Sequence, residues 1–421
     1  MTWWRRLAAA GIAGGLVLTL SGCPVGEYDR TPEPVPSAAD GGRVRPTDAS
    51  TDLPAYTGPP AGGPSSAGPV SRVRAAVDLT PATPGTFARV VSAVAGPDGG
   101  AFALLSPVDP TLPQSLVTLR GDGIAAVVPV PRVEDVWGLH LLDGGAVAVT
   151  GRLANEDYGL RVVDPVTGAV RTTVLLPTGD DVRSSIGRSA VSTSATRLYV
   201  FMSVLTHAGV REALLAVDGG TGRVLAERDL GDDVAAASTS PVGDQLAGLL
   251  PRPSGGVTLV FDASPTENPE ARIPTLLRYD ADLDPVGAAS RATGLSEGAE
   301  TRSVAGAADG TVFLLVAVQD GSWLLAVPDG GGAGPLLAQL EDRVYGYALT
   351  VEPAQRWAVL PSPVGVRAVD LTSGEALGPV GFECYRRLDV RDLSPTDGGA
   401  IAIGECDSPR EDSQFLWFLT P

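Results

Sequence analysis

Apolar and polar positions along this chain fall into short runs separated by glycine turns, and the turns recur. Asp98-Gly99-Gly100 precedes AFALL, Asp143-Gly144-Gly145 precedes AVAVT, and Ser254-Gly255-Gly256 precedes VTLVF. Asp309-Gly310 precedes TVFLLVA, and Asp397-Gly398-Gly399 precedes AIAIG. Each time one apolar run leads into the turn and another leads out. Gly tolerates the positive φ of a tight turn, so Asp-Gly between apolar runs predicts a β-hairpin. A second unit lies downstream of these hairpins: apolar strand, Asp, turn residues, Gly, apolar strand. It surrounds Asp164, Asp218 and Asp370, with looser copies around Asp280 and Asp329. There the Asp is expected to accept backbone amides within the turn. No convincing helical periodicity appears after the N-terminal apolar stretch.

One Gly hairpin and one Asp hairpin make four strands, and the unit returns at roughly 40-residue intervals, which predicts an all-β propeller. Seven blades fit, over 88–130, 133–177, 181–230, 232–290, 297–340, 342–380 and 386–421. The length of the fourth leaves six or eight open. The third and sixth carry Ser194-Ala195-Thr196 and Pro353-Ala354-Gln355 in place of Asp-Gly-Gly. The last blade holds only three strands, while SRVRAAVDL at 71–79 has no blade of its own. Placed as the outer strand of the last blade, it would close the ring and remove exposed edges. The pattern resembles the broad bacterial propeller class of quinoprotein-like, TolB-like and YVTN-like repeats. That resemblance covers most of 71–421 and implies a fold without any particular activity.

Upstream, Arg5 and Arg6 precede an apolar stretch, Leu7 to Leu20, that is too short for a comfortable membrane span. It ends in Leu20-Ser21-Gly22-Cys23, which resembles the lipobox of bacterial lipoproteins. The resemblance implies a signal over 1–22 and diacylation of Cys23, with the protein anchored outside the cytoplasm. Export through either the general or the twin-arginine route is compatible with Arg5-Arg6, although Trp4 stands where the second motif has a polar residue. Residues 23–69 are the lipidated Cys and a Pro/Gly-rich linker, too poor in apolar residues to build a core. The propeller is expected over 70–421.

The formal charge is −18, so nucleic acid and bare anionic headgroups are poor partners, and cations or basic proteins better ones. No Lys is present, which excludes Lys Schiff-base chemistry and a Lys-bearing phosphate loop. Arg-only basicity with abundant Ala, Gly and Pro fits a GC-rich genome, as in high-GC Gram-positive envelopes.

Five acidic groups precede successive inner strands: Glu134-Asp135, Asp180-Asp181, Asp232-Asp233, Glu297 with Glu300, and Glu341-Asp342. All are expected in loops on one face around the central channel, where they would focus negative potential. A hard cation such as Ca²⁺, a basic peptide or an amine would suit them, and solvated turns in an acidic protein would look the same. Arg132, Arg183, Arg302 and Arg343 lie near enough to balance them. No cofactor is otherwise implied, and a monomer is expected. Asp280-Ala-Asp282-Leu-Asp284 begins like a calcium loop, but Pro285 and Arg291 occupy positions that need Gly and Glu. Cys384 and Cys406 flank the inner and second strands of the last blade, which places them together on one face and predicts a disulfide outside the cytoplasm. His140 on an inner strand and His207 in a loop lack the partners of a metal triad. These features favour a non-catalytic, membrane-tethered binding or scaffold module. An enzyme working through the central channel, an oxidoreductase, lactonase or lyase, is the alternative.

Overall fold

The structure is a computed structural model. It describes residues 69–421 apart from 84–87, 122, 154–156, 177–181, 208, 266–270, 293–294, 296–298, 320, 331–335, 341–347, 353–355, 383, 385–387, 397–398 and 407–412. Cys23 and the linker up to residue 68 lie outside the described residues.

The described strands form seven four-stranded antiparallel sheets. In chain order the innermost strands are Ala88–Ala95, Val133–Leu141, Val182–Val191, Leu246–Pro251, Glu300–Gly306, Thr350–Val351 and Leu388–Thr396. Each touches the inner strands of both neighbours, and the last touches the first, so the ring is closed. The closing blade is built from both ends of the domain: Arg72–Asp78 lies antiparallel against Ser413–Thr420. The expected seventh-blade closure is therefore the one found, and the blade count is seven.

The apolar runs have a direct structural cause. Seven hydrophobic clusters lie one between each pair of adjacent blades. A second strand is therefore covered on both faces, and its residues alternate between two cores rather than between core and water. In blade 3, Leu198, Val200 and Met202 enter the core shared with blade 2, while Tyr199 and Phe201 enter the core shared with blade 4. The outer strands keep one exposed side, as in Val170–Leu175.

The Asp turns at Asp164, Asp218, Asp280 and Asp370 form as expected, whereas the carboxylate expected to organise the fifth, Asp329, binds Arg252 and Arg278 of blade 4 at 3.0 and 3.4 Å. Asp164 Oδ1 accepts the amides of Val166 and Thr167 at 2.9 and 3.1 Å. Asp218 accepts those of Gly220 and Thr221, and Asp370 those of Thr372 and Ser373. Asp280 does the same for Asp282 and Asp284, both at 2.9 Å, so the calcium-like run is an ordinary turn. In blade 3 the Gly position is taken by Ala195, at φ 55°.

The fourth blade begins later than its repeat spacing suggests. Residues 231–245 form a one-turn helix, Gly231–Ala235, and a short 3-10 turn, Gly243–Gln245, before Leu246 opens the inner strand. One helical turn is too short to leave a periodicity, so the sequence shows only a long blade.

Buried polar side chains join successive blades. Gln114 Oε1 accepts the Val133 amide at 2.9 Å and its Nε2 donates to the Val133 carbonyl at 2.8 Å. Gln414 accepts the Val90 amide at 3.0 Å, Glu212 that of Gly243 at 2.7 Å, and Asp262 that of Thr301 at 2.8 Å. Each satisfies a backbone group near the start of the next blade that would otherwise be buried without a partner.

Candidate functional site

Inner strands all begin on one face of the ring, because each blade reverses direction three times before the next begins. Six of the seven carry a bulge a few residues from that start, at Val90/Ser92, Glu134/Gly138, Val182/Ser184, Leu246/Gly248, Thr301/Ser303 and Val390/Asp392. A bulge adds a residue to one strand and re-aims its neighbours' side chains.

The predicted acids are distributed as follows. Asp180, Asp181, Glu297, Glu341 and Asp342 lie outside the described residues, as does Arg343. Glu134 and Asp135 are not in a loop but inside the inner strand of blade 2, with Asp135 at φ 45° in the bulge. The structure brings these two together under one cation: Arg152 reaches Glu134 at 2.9 Å and Asp135 at 3.1 Å. Asp232 and Asp233 sit in the first turn of the short helix rather than in a loop. Asp233 is gripped by both Nε and Nη2 of Arg228, at 2.7 and 3.0 Å, and accepts the Tyr279 hydroxyl at 3.0 Å. Those hydrogen bonds, with Arg228 foremost, hold its carboxyl below the ordinary range. Glu300 is the first residue of its strand and pairs with Arg302 at 2.8 Å. Of the Arg residues expected to balance the acids, Arg302 does so. Arg132 instead donates to the carbonyls of Pro107 and Asp109. Among the described residues, no three ligating side chains converge as a metal site would need.

A second charged group was not anticipated. Glu405, on the second strand of blade 7, accepts Arg391 at 2.6 Å and the Gln414 amide at 2.8 Å, with Arg89 at 4.0 Å. Arg391 also reaches Asp389 at 3.5 Å. Of these residues Arg89 and Arg391 border, together with the Glu134–Asp135–Arg152 group, an open cavity of about 610 Å³ spanning blades 7, 1 and 2. The sequence signal was faint: Arg89, Asp389 and Arg391 read as polar positions of inner strands, and nothing in their spacing links them to Glu405.

Beside this face, Cys384 and Cys406 form a disulfide with a Cα–Cα distance of 5.3 Å. It lies in the core between blades 6 and 7, where Phe382 stacks on Trp417 at 4.4 Å.

Deeper in, His140 Nε2 is 2.7 Å from Ser189 Oγ, which is 2.6 Å from Thr150 Oγ1. Gly138 leaves room for this contact, since a Cβ there would collide with both Ser189 and His140. Burial pushes the His140 pKa down to about 4 and that of Asp392 up to about 6. His140 lies on the inner strand of blade 2, as its sequence position predicts. His207 lies in the turn between Arg197–Thr206 and Gly209–Asp218.

No family model matches the chain, and no curated protein matches it. Solved structures do. The chain is similar to a puromycin hydrolase mutant complexed with PGG, at 16% identity and TM-score 0.53, over 84% of this chain and 55% of that one. It thus spans about half the length of that protein. It is also similar to U3-55K, at 11% identity and TM-score 0.53, and to the WD40 repeats of RRP9, at 11% and 0.52. Each of these two alignments covers 83% of this chain and 99% of the other. At such identities the likeness establishes the propeller fold alone.

Proposed function

We propose that this chain is a lipid-anchored, extracytoplasmic propeller that binds a protein partner, of the cell envelope, through the face where its inner strands begin. The observation that carries this reading is the charge arrangement over blades 7, 1 and 2. Its carboxylates are matched to Arg residues, as Arg152 is to Glu134 and Asp135, so the face offers both signs of charge around an open groove. A bare carboxylate cup would favour a metal ion, whereas paired charges of mixed sign suit a partner surface that exchanges some of these bonds for its own. Arg89, with a side chain 59% exposed and only a 4.0 Å contact to Glu405, is the cation most available to such a partner. The lipobox at Cys23 and the Pro-rich linker supply the tether, holding the ring clear of the membrane.

The test is photocrosslinking in the intact envelope. A crosslinking residue placed at Arg89 or Asp135 should capture one discrete protein, and one at Val166, exposed in an Asp turn on the opposite face, should not. Uptake of a palmitate analogue, lost in Cys23→Ala, checks the anchor separately. Identical crosslinks from both faces would defeat the reading.

A hydrolase working through Ser189 and His140 rests on their 2.7 Å contact. A histidine with a pKa of about 4 is a weak general base at neutral pH, and Ser189 is also held by Thr150, so the contact is better read as structural.

A further inference from the structure

Arginines outnumber acids on the wall of the open cavity over blades 7, 1 and 2. Arg89, Arg132, Arg152 and Arg391 line it, against Glu134 and Asp135. The wall thus runs against the overall charge of −18. Its two acids are already paired, since Arg152 bridges both at 2.9 and 3.1 Å. Glu405 and Asp389 do not line the cavity and are held by Arg391, at 2.6 and 3.5 Å. The donors are less fully used. Arg89, with its side chain 59% exposed, meets one carboxylate, Glu405, at only 4.0 Å. Arg132 pairs with no carboxylate among the described residues. Its Nη1 alone donates, to the carbonyls of Pro107, Asp109 and Leu112 at 3.2, 3.3 and 3.5 Å. Its Nε is buried without an acceptor. The Asp109 carboxylate is turned instead to the Thr111 amide and hydroxyl, at 2.9 and 2.7 Å. Ser106, also on the wall, accepts Gln114 Nε2 at 3.3 Å, which leaves its own proton to donate.

We propose that the cavity receives a carboxylate, and that the partner protein docks by inserting an acidic segment whose Asp or Glu side chain is bound by Arg89 and Arg132. This rests on the partner-binding reading of the face and gives the partner's chemistry. Guanidinium groups hold a carboxylate through charge-assisted N–H bonds, and here two of them keep donors that the chain's own acids do not take up. A basic segment would have to draw Glu134 or Asp135 away from the Arg152 that bridges both. A phosphorylated segment would bring about twice the charge of a carboxylate against those same two acids. The overall charge favours cations as partners, but locally the cavity reverses that preference.

Fluorescence anisotropy of the purified protein with labelled hexaglutamate and hexalysine peptides tests this. Hexaglutamate is expected to bind, and to bind more weakly as salt rises. Arg89→Glu should weaken it about tenfold or more, because a donor is lost and a like charge gained. Arg132→Gln should weaken it as well. Arg132 also holds backbone carbonyls, so Arg89→Glu, which disturbs no side-chain hydrogen bond, is the deciding variant. Arg120, exposed at the far end of Gln114–Arg120, lies on the opposite face. Arg120→Glu makes the same change in net charge and should bind hexaglutamate as the wild type does. Hexalysine should bind Arg89→Glu no more weakly than the wild type. Absence of hexaglutamate binding at about 1 mM, an unchanged affinity in Arg89→Glu, or an equal loss in Arg120→Glu overturns the proposal. The carboxylate site and the partner reading fail separately. A protein crosslinked at Arg89, with no hexaglutamate binding, would keep the docking face and remove its acidic ligand. Hexaglutamate binding that is lost in Arg89→Glu, with no crosslinked protein, would keep the carboxylate site and remove the partner.

Discussion

His140 and Asp392 are titratable groups enclosed by the ring, and they act on stability in opposite directions. A carboxyl at about 6 when folded, against 3.8 ordinarily, holds its proton more tightly in the folded state. It therefore costs stability above about pH 6, and the cost fades toward pH 4. An imidazole at about 4, against 6.5 ordinarily, resists protonation when folded, so its effect is a loss of stability as the pH falls from 6.5 to 4. The two slopes oppose each other across the same window. Relative to the wild type, His140→Gln should gain stability as the pH falls from about 6 to 4. Asp392→Asn should be more stable near neutrality, by about 1–2 kcal/mol, and lose that advantage on acidification. Urea unfolding of the three proteins at several pH values checks this, and parallel profiles would refute it. Of these residues the sequence showed only that His140 sits on an inner strand. Its contact with Ser189 joins two blades, so it is not written in local spacing. The acids Glu134, Asp135, Asp233 and Glu300 were legible as acidic positions, and Arg302 as a neighbour able to balance Glu300, but the partners of the other three were not, because Arg152 and Arg228 sit on other strands.

At the level of strands and turns, the Gly hairpins and Asp turns could be read directly, because each depends on a few adjacent residues. Ala195 shows the cost of departing from that rule. It takes the left-handed φ of 55° that Gly adopts in sister blades. Ala195→Gly should therefore stabilise the protein, by about 0.5–1 kcal/mol, despite the greater freedom of Gly when unfolded. The blade-to-blade latches were not legible, since Gln114 looks like any polar strand residue until the next blade is placed beside it. Gln114→Leu would leave the Val133 amide and carbonyl buried without partners, and should cost about 1–3 kcal/mol in chemical denaturation. A loss under half that would show that water replaces the side chain. The Cys384–Cys406 bridge was legible because propeller connectivity alone brings those strand ends together. It closes a segment with a sequence separation of 22, so replacing both Cys by Ser should lower stability by about 3 kcal/mol.

For the whole ring, the decisive element is the one farthest from its partner in sequence. Arg72–Asp78 pairs with Ser413–Thr420 and completes the closing blade. Without it the last strand would present its backbone as an open edge, a template for pairing with another chain. The core between blades 7 and 1 would also lose Val77 and Leu79, which are 5% and 0% exposed there. Burying two such side chains contributes about 3–6 kcal/mol, a large part of the stability of a typical domain. The closure was predictable because the final blade is one strand short and a strand-like segment stood unpaired at the other end of the domain. A protein beginning at Pro69 should be monomeric and unfold in one cooperative transition. One beginning at Thr80 should melt well below it, with a broadened transition, and should elute as dimers or larger species through its exposed edge. Size-exclusion chromatography with thermal melts decides this. A shortened protein that stays monomeric and melts at the same temperature would mean that the ring is held by its blade-to-blade cores alone, and that its terminal strand covers an edge without closing the fold.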